Sequence, residues 1–480
     1  MNLILLTDSY KLSHPSQYPS NMISQYEFME SRGGRHPATI MAGTSYYLQK
    51  YLSKRVKPKH VEKAAAMAKL HGVSFDYDGW MYIATDLKGK LPISIHAVPE
   101  GTLVPTGHPL LTIESTDARV PLAPWVASFV ETLLMKLWFP ITVATESYYI
   151  KQMLLKYGSP EWAEFALHNF SDRGNSSVES AALAGFAHST VFKGTDNFNS
   201  LAFCKKYYNI DMSGFSVDAS EHSTTTSYGR EHEEQFVYDL ILSKPDATII
   251  SVVADSYDVY NFTNFCTAPD SRIRTLIESR LHQKLVLRPD SGEPLEVLSK
   301  ILTIMVANKL RPIERNDIKH EFRDFGLLWG DGIDIYGINE VLQWFTDHDS
   351  PNRTLFAAEN FVFGMGGGLV NFTRDTQKFA IKCSSITLEE DNMSDGYEND
   401  GYTYIDRDVY KDPITDPGKR SKRGKVTTWF NTKTKQYSVG LVSDFLADSV
   451  CALVPVFYNG EILYNGAPTM QEIRGTRNEQ

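Results

Sequence analysis

Lys284-Leu285-Val286-Leu287-Arg288-Pro289-Asp290-Ser291-Gly292 is the stretch on which the fold turns. A short apolar run, strand-like in length and composition, stops abruptly in an arginine, an aspartate and a glycine, and a helical segment follows. The same rhythm recurs on both sides of it. Phe165 to Phe170 ends at Ser171-Asp172-Arg173-Gly174, and Thr190 to Phe192 ends at Lys193-Gly194-Thr195-Asp196. Phe215 to Val217 leads into Glu221-His222-Ser223, and Thr248 to Val253 ends at Asp255-Ser256-Tyr257-Asp258. Phe325 to Trp329 ends at Gly330-Asp331-Gly332, and Phe361 to Phe363 ends at Gly364-Met365-Gly366-Gly367-Gly368. Successive endings lie on the order of 20–40 residues apart, the length of one βα unit.

Such a series builds either a doubly wound sheet or a (β/α) barrel. Both place the ligand at the carboxyl ends of parallel strands. One strand-ending aspartate means little, because aspartate also caps the following helix. Asp255, Asp290 and Asp331 at three endings point together to a site that holds ribose hydroxyls or water-coordinated Mg²⁺. Arg173, Arg288 and His222 would share that rim and suit phosphate oxygens. The glycine run allows close approach to an anion, with Arg374 and Lys382 following it. No Gly-Lys-Ser/Thr follows, so it is not a P-loop. Phe170 offers a flat face to an aromatic ligand, although a core role suits it equally. Displacement of pyrophosphate from a phosphoribosyl donor fits this set of groups.

The bulk numbers bound the rest. The chain has 480 residues and a formal net charge of −10, with 42% hydrophobic and 22% charged residues. This is the composition of a soluble enzyme with more than one domain. An acidic chain lacks the broad basic surface that nucleic-acid binding needs. Cys204, Cys266, Cys383 and Cys451 are dispersed with no C-x-x-C pair, which fits a reducing compartment and argues against a cysteine zinc site. No uncharged apolar run approaches a membrane span, and Leu3 to Leu6 reads as a buried strand, not a leader. The expected location is the cytoplasm.

Around the repeating core, Lys59 to Leu70 reads as a helix, Pro92 to Ala97 as a strand, and Gly101 to Gly107 as a turn-rich hairpin. Trp125 to Trp138 and Glu146 to Tyr157 read as two amphipathic helices. Thr387 to Asp406 reads as an exposed acidic loop and Lys419 to Lys425 as a solvated basic turn. Strands are expected between Val426 and Leu446, and a frayed tail after Arg474.

The ordered blocks resemble the nicotinamide phosphoribosyltransferase family, of the type II phosphoribosyltransferase kind, over nearly the whole chain. They run from Thr7-Asp8-Ser9-Tyr10-Lys11 through His168-Asn169-Phe170, Arg173-Gly174, Lys193-Gly194-Thr195-Asp196 and Glu221-His222-Ser223. They continue with Asp255-Ser256-Tyr257-Asp258, Arg288-Pro289-Asp290-Ser291-Gly292, Gly330-Asp331-Gly332 and Lys411-Asp412-Pro413. The resemblance implies an α/β fold: an irregular (β/α) barrel plus a smaller α+β domain built from both chain termini. The expected boundaries are 1–160, 161–380 and 381–480, with the acidic loop at 387–406.

It also implies transfer of phosphoribose from 5-phosphoribosyl 1-diphosphate to nicotinamide, giving nicotinamide mononucleotide and diphosphate. Mg²⁺ would assist, and ATP would be an optional coupled substrate through a phosphorylated His222. His222, Asp255 and Asp290 would be catalytic, and Arg173, His222 and Arg288 would bind diphosphate. Tyr10, Phe170, Asp196 and Arg288 would hold nicotinamide, with Tyr10 contributed across a head-to-tail homodimer with shared sites. Asp290, Gly330, Asp331, Gly367 and Arg374 would hold ribose and phosphate, and Asp255 and Asp290 the metal, through water. Arg32, Lys382 and Lys411 would be further anion contacts. Nicotinate phosphoribosyltransferase is the nearest alternative, and a non-catalytic binding protein on the same scaffold is a second. Phe215, Ala380 and Met365 depart from the family pattern without removing a principal group.

Overall fold

The computed structural model describes residues 1–117, 122–280, 282–310, 320–347, 355–391, 402–415 and 420–478. They form two compact units. One comprises Met1–Thr145, Lys205–Ile210 and Phe372–Gln480, and the other Glu146–Cys204 and Asp211–Asn371. The terminal-built unit is therefore the larger of the two, and its limits differ from the expected 160/161 and 380/381.

The second unit contains six parallel strands: β1 (Leu167–Asn169), β2 (Asp218–Ala219), β3 (Ile249–Val253), β4 (Lys284–Arg288), β5 (Phe325–Trp329) and β6 (Phe361–Met365). Their order is β1-β6-β5-β4-β3-β2. The middle of β4 and all of β5 are buried, as expected for strands covered on both faces. Two isolated parallel bridges, Asn169↔Thr195 and Gly194↔Phe215, extend the pairing beyond β1 towards β2. Thr190 to Phe192, expected as a strand, instead ends the helix Val178–Ser189, and only residues 194 and 195 pair. The wall is thus an irregular barrel, regular from β3 to β6 and reduced to single bridges between β1 and β2.

Parallel register carries all strand ends to one rim. Val253 pairs with Arg288, Leu327 with Leu287 and with Phe361, and Met365 with Asn169. Helices follow with local start signals. Asp258 accepts from the backbone N–H of Tyr260 and Asn261 at 3.0 Å each, and Asp334 does the same for Tyr336 and Gly337.

The terminal unit is built on a seven-stranded antiparallel sheet. Its order is Tyr402–Asp408, Phe379–Asp391, Met22–Ser31, Pro109–Ser115, Ile93–Ala97, Val454–Tyr458 and Glu461–Ile462. Three amino-terminal strands sit together at its middle, and two carboxy-terminal strands flank them on each side. A three-stranded sheet holds Tyr437–Leu441, Val426–Asn431 and Ser449–Cys451.

Several expectations need correction. Leu3–Leu5 is a tight helical turn, not a strand, because the Asn2 side chain accepts from Ile4 N–H at 3.2 Å and caps it. The hairpin expected at Gly101–Gly107 is one strand, Leu103–Pro105, paired with Ala38–Ile40. Trp125 to Trp138 is broken at Val130, and a long helix begins at Trp138, where Pro140 falls in the tolerated first turn. The stretch Val126–Leu154 is long and apolar enough to cross a membrane, and 67% of its most apolar window is buried within the protein, as in a core helix.

The flanks of the acidic segment are not loop. Thr387–Asp391 and Tyr402–Asp406 pair as antiparallel strands, and residues 392–401 lie outside the described residues. The described part of the basic turn is tied down: Lys422 pairs with Glu30, Arg423 lies over the Tyr410 ring, and Lys425 bonds Glu114 at 2.9 Å. The tail stays helical to Asn478, because Thr469 and Glu472 cap each other.

Candidate active site

The rim of the barrel brings together the expected groups that lie on the second unit. Phe170 follows β1 directly, and its N–H donates to the Met365 carbonyl at 3.0 Å. That bond turns its ring over the ends of β5 and β6. A Cβ on Gly364 would fall 2.1 Å from Phe170 Cε2, so only glycine admits the ring there. A Cβ on Gly330 would sit 3.3 Å from both Phe170 Cε2 and Asp290 Oδ1. Gly330 is therefore the gap between the aromatic face and the carboxylate.

Asp196 stands one residue past the Thr195 bridge, with its N–H donating to Asn169 carbonyl at 3.1 Å. Ser216 donates to Asp196 Oδ1, and His168 Nδ1 lies 3.9 Å from the same oxygen. The His168 ring in turn meets Phe170 edge-on at 6.4 Å. Burial opposes ionisation of Asp196, but the nearby His168 ring, the hydrogen bond from Ser216 and the charge of Arg288 outweigh it. The carboxyl is held below its ordinary value.

Across the rim, His222 Nε2 lies 3.0 Å from Asp255 Oδ1, and Ser291 Oγ donates to the other oxygen, Oδ2. The imidazole is half exposed while the Asp255 side chain is 8% exposed, so the carboxylate forms the floor on which the histidine is oriented. Asp290 is pushed above its ordinary value, first by burial and further by Asp255 and Asp331, against the pull of Arg288 and His222. The Arg288 Nε is buried without a hydrogen-bond partner in the protein. An unpaired guanidinium N–H beside crowded carboxylates suits a site that takes an anion together with a cation.

None of Asp255, Asp290 or Asp331 supplies a helix cap. Asp258 and Asp334 perform that role three residues further on, and the helix Pro294–Ala307 has no side-chain cap. The two possible roles of strand-end aspartates are therefore divided between different residues. The glycine run bends from β6 into the turn Gly367–Leu369. A Cβ on Gly368 would strike the Ile333 carbonyl at 2.8 Å, and one on Gly367 the Asn371 amide at the same distance. Gly174 packs on this turn, 3.6 Å from Gly367 Cα to its ideal Cβ, which sets the exposed Arg173 beside it.

Hard carboxylate oxygens at Asp255 and Asp290 suit Mg²⁺. Among the described residues no cluster of three or more His, Cys, Asp or Glu forms a complete metal cage. Mg²⁺ would thus depend on water and substrate phosphate for its remaining ligands. Sequence reasoning missed Ser216 and Ser291, the hydroxyls that steady Asp196 and Asp255; Ser291 lies inside the quoted Arg288–Gly292 stretch, and Ser216 beside Phe215.

Five expected contacts lie on the terminal unit. Tyr10 is 55% exposed on the helical turn Ser9–Gln17. Arg32 Nε bonds Glu30 Oε1 at 3.0 Å, and Lys422 takes the other oxygen, Oε2. Arg374 contacts Asp375 at 3.3 Å and is itself exposed. Lys382 and Lys411 are both exposed.

Known proteins are similar throughout. The nicotinate phosphoribosyltransferase (NAPRTase) family matches residues 165–441, and the nicotinamide phosphoribosyltransferase N-terminal domain matches residues 2–95. A nicotinamide phosphoribosyltransferase of Xanthomonas campestris pv. campestris is 38% identical, covering 98% of this chain and 97% of its own. One of Acinetobacter baylyi is 27% identical, covering 99% and 96%. In fold, the chain is similar to nicotinate-nucleotide pyrophosphorylase from Pyrococcus furiosus, with TM-score 0.61 at 14% identity over 100% of this chain and 95% of that one. It is also similar to human nicotinic acid phosphoribosyltransferase, with TM-score 0.54 at 14% identity over 99% and 93%.

Proposed function

The chain belongs to the nicotinate phosphoribosyltransferase family, and from that premise we propose that it transfers phosphoribose from 5-phosphoribosyl 1-diphosphate to nicotinamide. The pyridine nitrogen lone pair attacks C1′ of the ribose, the C1′–O bond to diphosphate breaks, and diphosphate leaves with the electron pair. Nicotinamide mononucleotide is the product.

The choice of amide over acid rests on Asp196. Its carboxyl is held below the ordinary range, so it accepts from an amide NH₂ and repels a carboxylate. Phe170 offers the ring a flat face, and the glycines at 330 and 364 leave room for it. Arg288, with its unpaired Nε, and Arg173 on the neighbouring turn suit the diphosphate. Asp290 and Asp331, just past neighbouring strand ends, would accept from ribose hydroxyls. Bound Mg²⁺ would supply charge neutralisation for the departing diphosphate.

ATP coupling is supported by the His222–Asp255 pair. In the tautomer that directs the Nε2 proton at Asp255, Nδ1 keeps its lone pair for the γ-phosphorus. The N–P bond would form as the bond to the β-phosphate oxygen breaks, releasing ADP. A head-to-tail homodimer is supported by the exposure of Tyr10, whose ring meets the His14 ring at 5.0 Å and is otherwise open enough to be 55% exposed.

The deciding experiment is competition between nicotinamide and nicotinate for the same donor with Mg²⁺ present. Preference for nicotinamide is expected. Preference for nicotinate would transfer the assignment to the acid-specific enzymes.

A further inference from the structure

The terminal unit carries an open groove of about 940 Å³ that shares no residue with the barrel-end site. Lys50, Lys54, Arg55, Lys57, Lys59 and Lys206 line it, and no aspartate or glutamate is among its described lining residues. On a chain of net charge −10 this is a concentrated island of positive charge. Cations gathered in one concavity raise each other's energy unless an anion sits among them.

The backbone around the groove is arranged for the same end. Between Leu48 and Ser53 the helix widens by one residue, with Ser53 N–H donating to Leu48 carbonyl at 3.0 Å. Such a widened turn is a local cost that recurs at functional sites. It carries Gln49 and Lys50, and Gln49 Nε2 ties the groove floor to the Tyr207 carbonyl at 3.0 Å. The helix Pro58–His71 then begins with Lys57, Lys59 and His60 and no acidic residue in its first turn. Cations there oppose the helix dipole, whereas an anion would satisfy it. Burial and the surrounding positive charge, including Lys59 and Lys57, hold the His60 imidazole below its usual value. The adjoining concavity shares Lys54 and Arg55, and its carboxylate, Glu461, is already paired with Lys90 at 2.7 Å.

We propose that this groove binds a compact polyphosphate, a chain of three or more phosphates either free or carried on a nucleotide. A long polyanion is disfavoured, because beyond the groove it would meet the acidic remainder of the chain. A single phosphate would meet only some of the six cations spread around the groove. A volume of this size suits a small, multiply charged ligand.

Calorimetric titration with inorganic tripolyphosphate tests this on the full chain carrying Arg173→Ala and Arg288→Ala, which weaken the barrel-end anion site. One binding equivalent is expected, weakening roughly tenfold or more as salt is raised to 0.5 M. Adding Lys54→Ala, Lys57→Ala and Lys59→Ala should weaken it a further tenfold or more. These three side chains are exposed, so the melting temperature should not move. A non-hydrolysable nucleoside triphosphate is the second probe. Equal affinity assigns the phosphate chain alone, and tighter binding that Tyr207→Ala removes assigns a nucleotide. No binding of either probe at low salt, or binding indifferent to the three lysines, overturns the proposal.

Discussion

The Phe170 ring lies against the Cα of Gly364 so closely that one added methyl group would reach to 2.1 Å from Cε2. Gly364→Ala must therefore push the ring off the rim. Overpacking of this kind costs roughly 1–3 kcal/mol. Because the ring stands at an open site, the cost should fall on the base more than on folding. A rise of roughly tenfold or more in KM for the base is expected, with the KM for the donor changed little. Steady-state kinetics with each substrate varied in turn would decide it, and an unchanged base KM would remove Phe170 from the ring site.

Asp196 should govern selectivity. A hydrogen bond to a charged acceptor contributes about 1.5–3 kcal/mol, or roughly 10–100-fold. Asp196→Ala should lower the nicotinamide-to-nicotinate ratio of kcat/KM by about that factor. If the ratio stays put, the amide is recognised elsewhere.

His222 and Asp255 act as a pair, so ATP coupling should fail when either is changed. His222→Ala should abolish ATP-stimulated turnover and leave some basal synthesis. Asp255→Asn should weaken both, since Asp255 is also one of the two carboxylates proposed to hold Mg²⁺. Phosphate labelling from γ-labelled ATP, followed by acid lability, reads the phosphohistidine directly. Survival of ATP stimulation in His222→Ala would rule it out.

Shared sites can be tested by mixing. Tyr10→Ala and Asp290→Ala should each be nearly inactive alone. In a two-fold dimer with Tyr10 contributed across the interface, random re-pairing restores about a quarter of the sites. Mixed protein that remains inactive after subunit exchange would place Tyr10 in its own chain's site, or in none.

A buried carboxyl predicts how stability depends on pH. Glu100 accepts from the N–H groups of Gly43 and Ser45 at 2.7 Å each and from the Tyr208 hydroxyl, yet burial pushes its carboxyl up to about 7. The folded value lies above the unfolded one. Its stabilising contribution is therefore complete below about pH 4.5 and is lost as pH rises through about 7, a loss of roughly 3 kcal/mol at most. Urea midpoints measured from pH 5 to 8 should decline more steeply for the wild type than for Glu100→Gln. That variant should also be weaker at pH 5, because an amide cannot accept both backbone bonds through two oxygens. Parallel pH slopes would exclude Glu100 as the source.

The barrel was legible in the sequence because each strand end changes composition abruptly. Phe325–Trp329 and Lys284–Arg288 lie where the apolar runs place them. The arc between β1 and β2 was not legible as single bridges, since hydrophobicity cannot distinguish two paired residues from a short strand. The site's charged groups were readable at the rim for the same reason as the strands. Their division of labour was not. Asp255 and Asp258 differ only in which atoms the backbone presents to them, and that depends on where the helix begins. The strands flanking the acidic segment were hidden because their sequence is rich in charged residues while the ladder is made by the backbone.

The flanking of the amino-terminal strands by carboxy-terminal ones in one sheet also fixes the order in which a growing chain can complete itself. The barrel unit is fully synthesised by Asn371. Met22–Ser31 must wait for Phe379–Asp391, and Ile93–Ala97 must wait until Val454–Tyr458 has left the ribosome. For most of translation the first third of the chain holds open sheet edges, which invite wrong partners. A newborn chain should thus depend on chaperone protection of its amino-terminal segment long after its catalytic rim has folded.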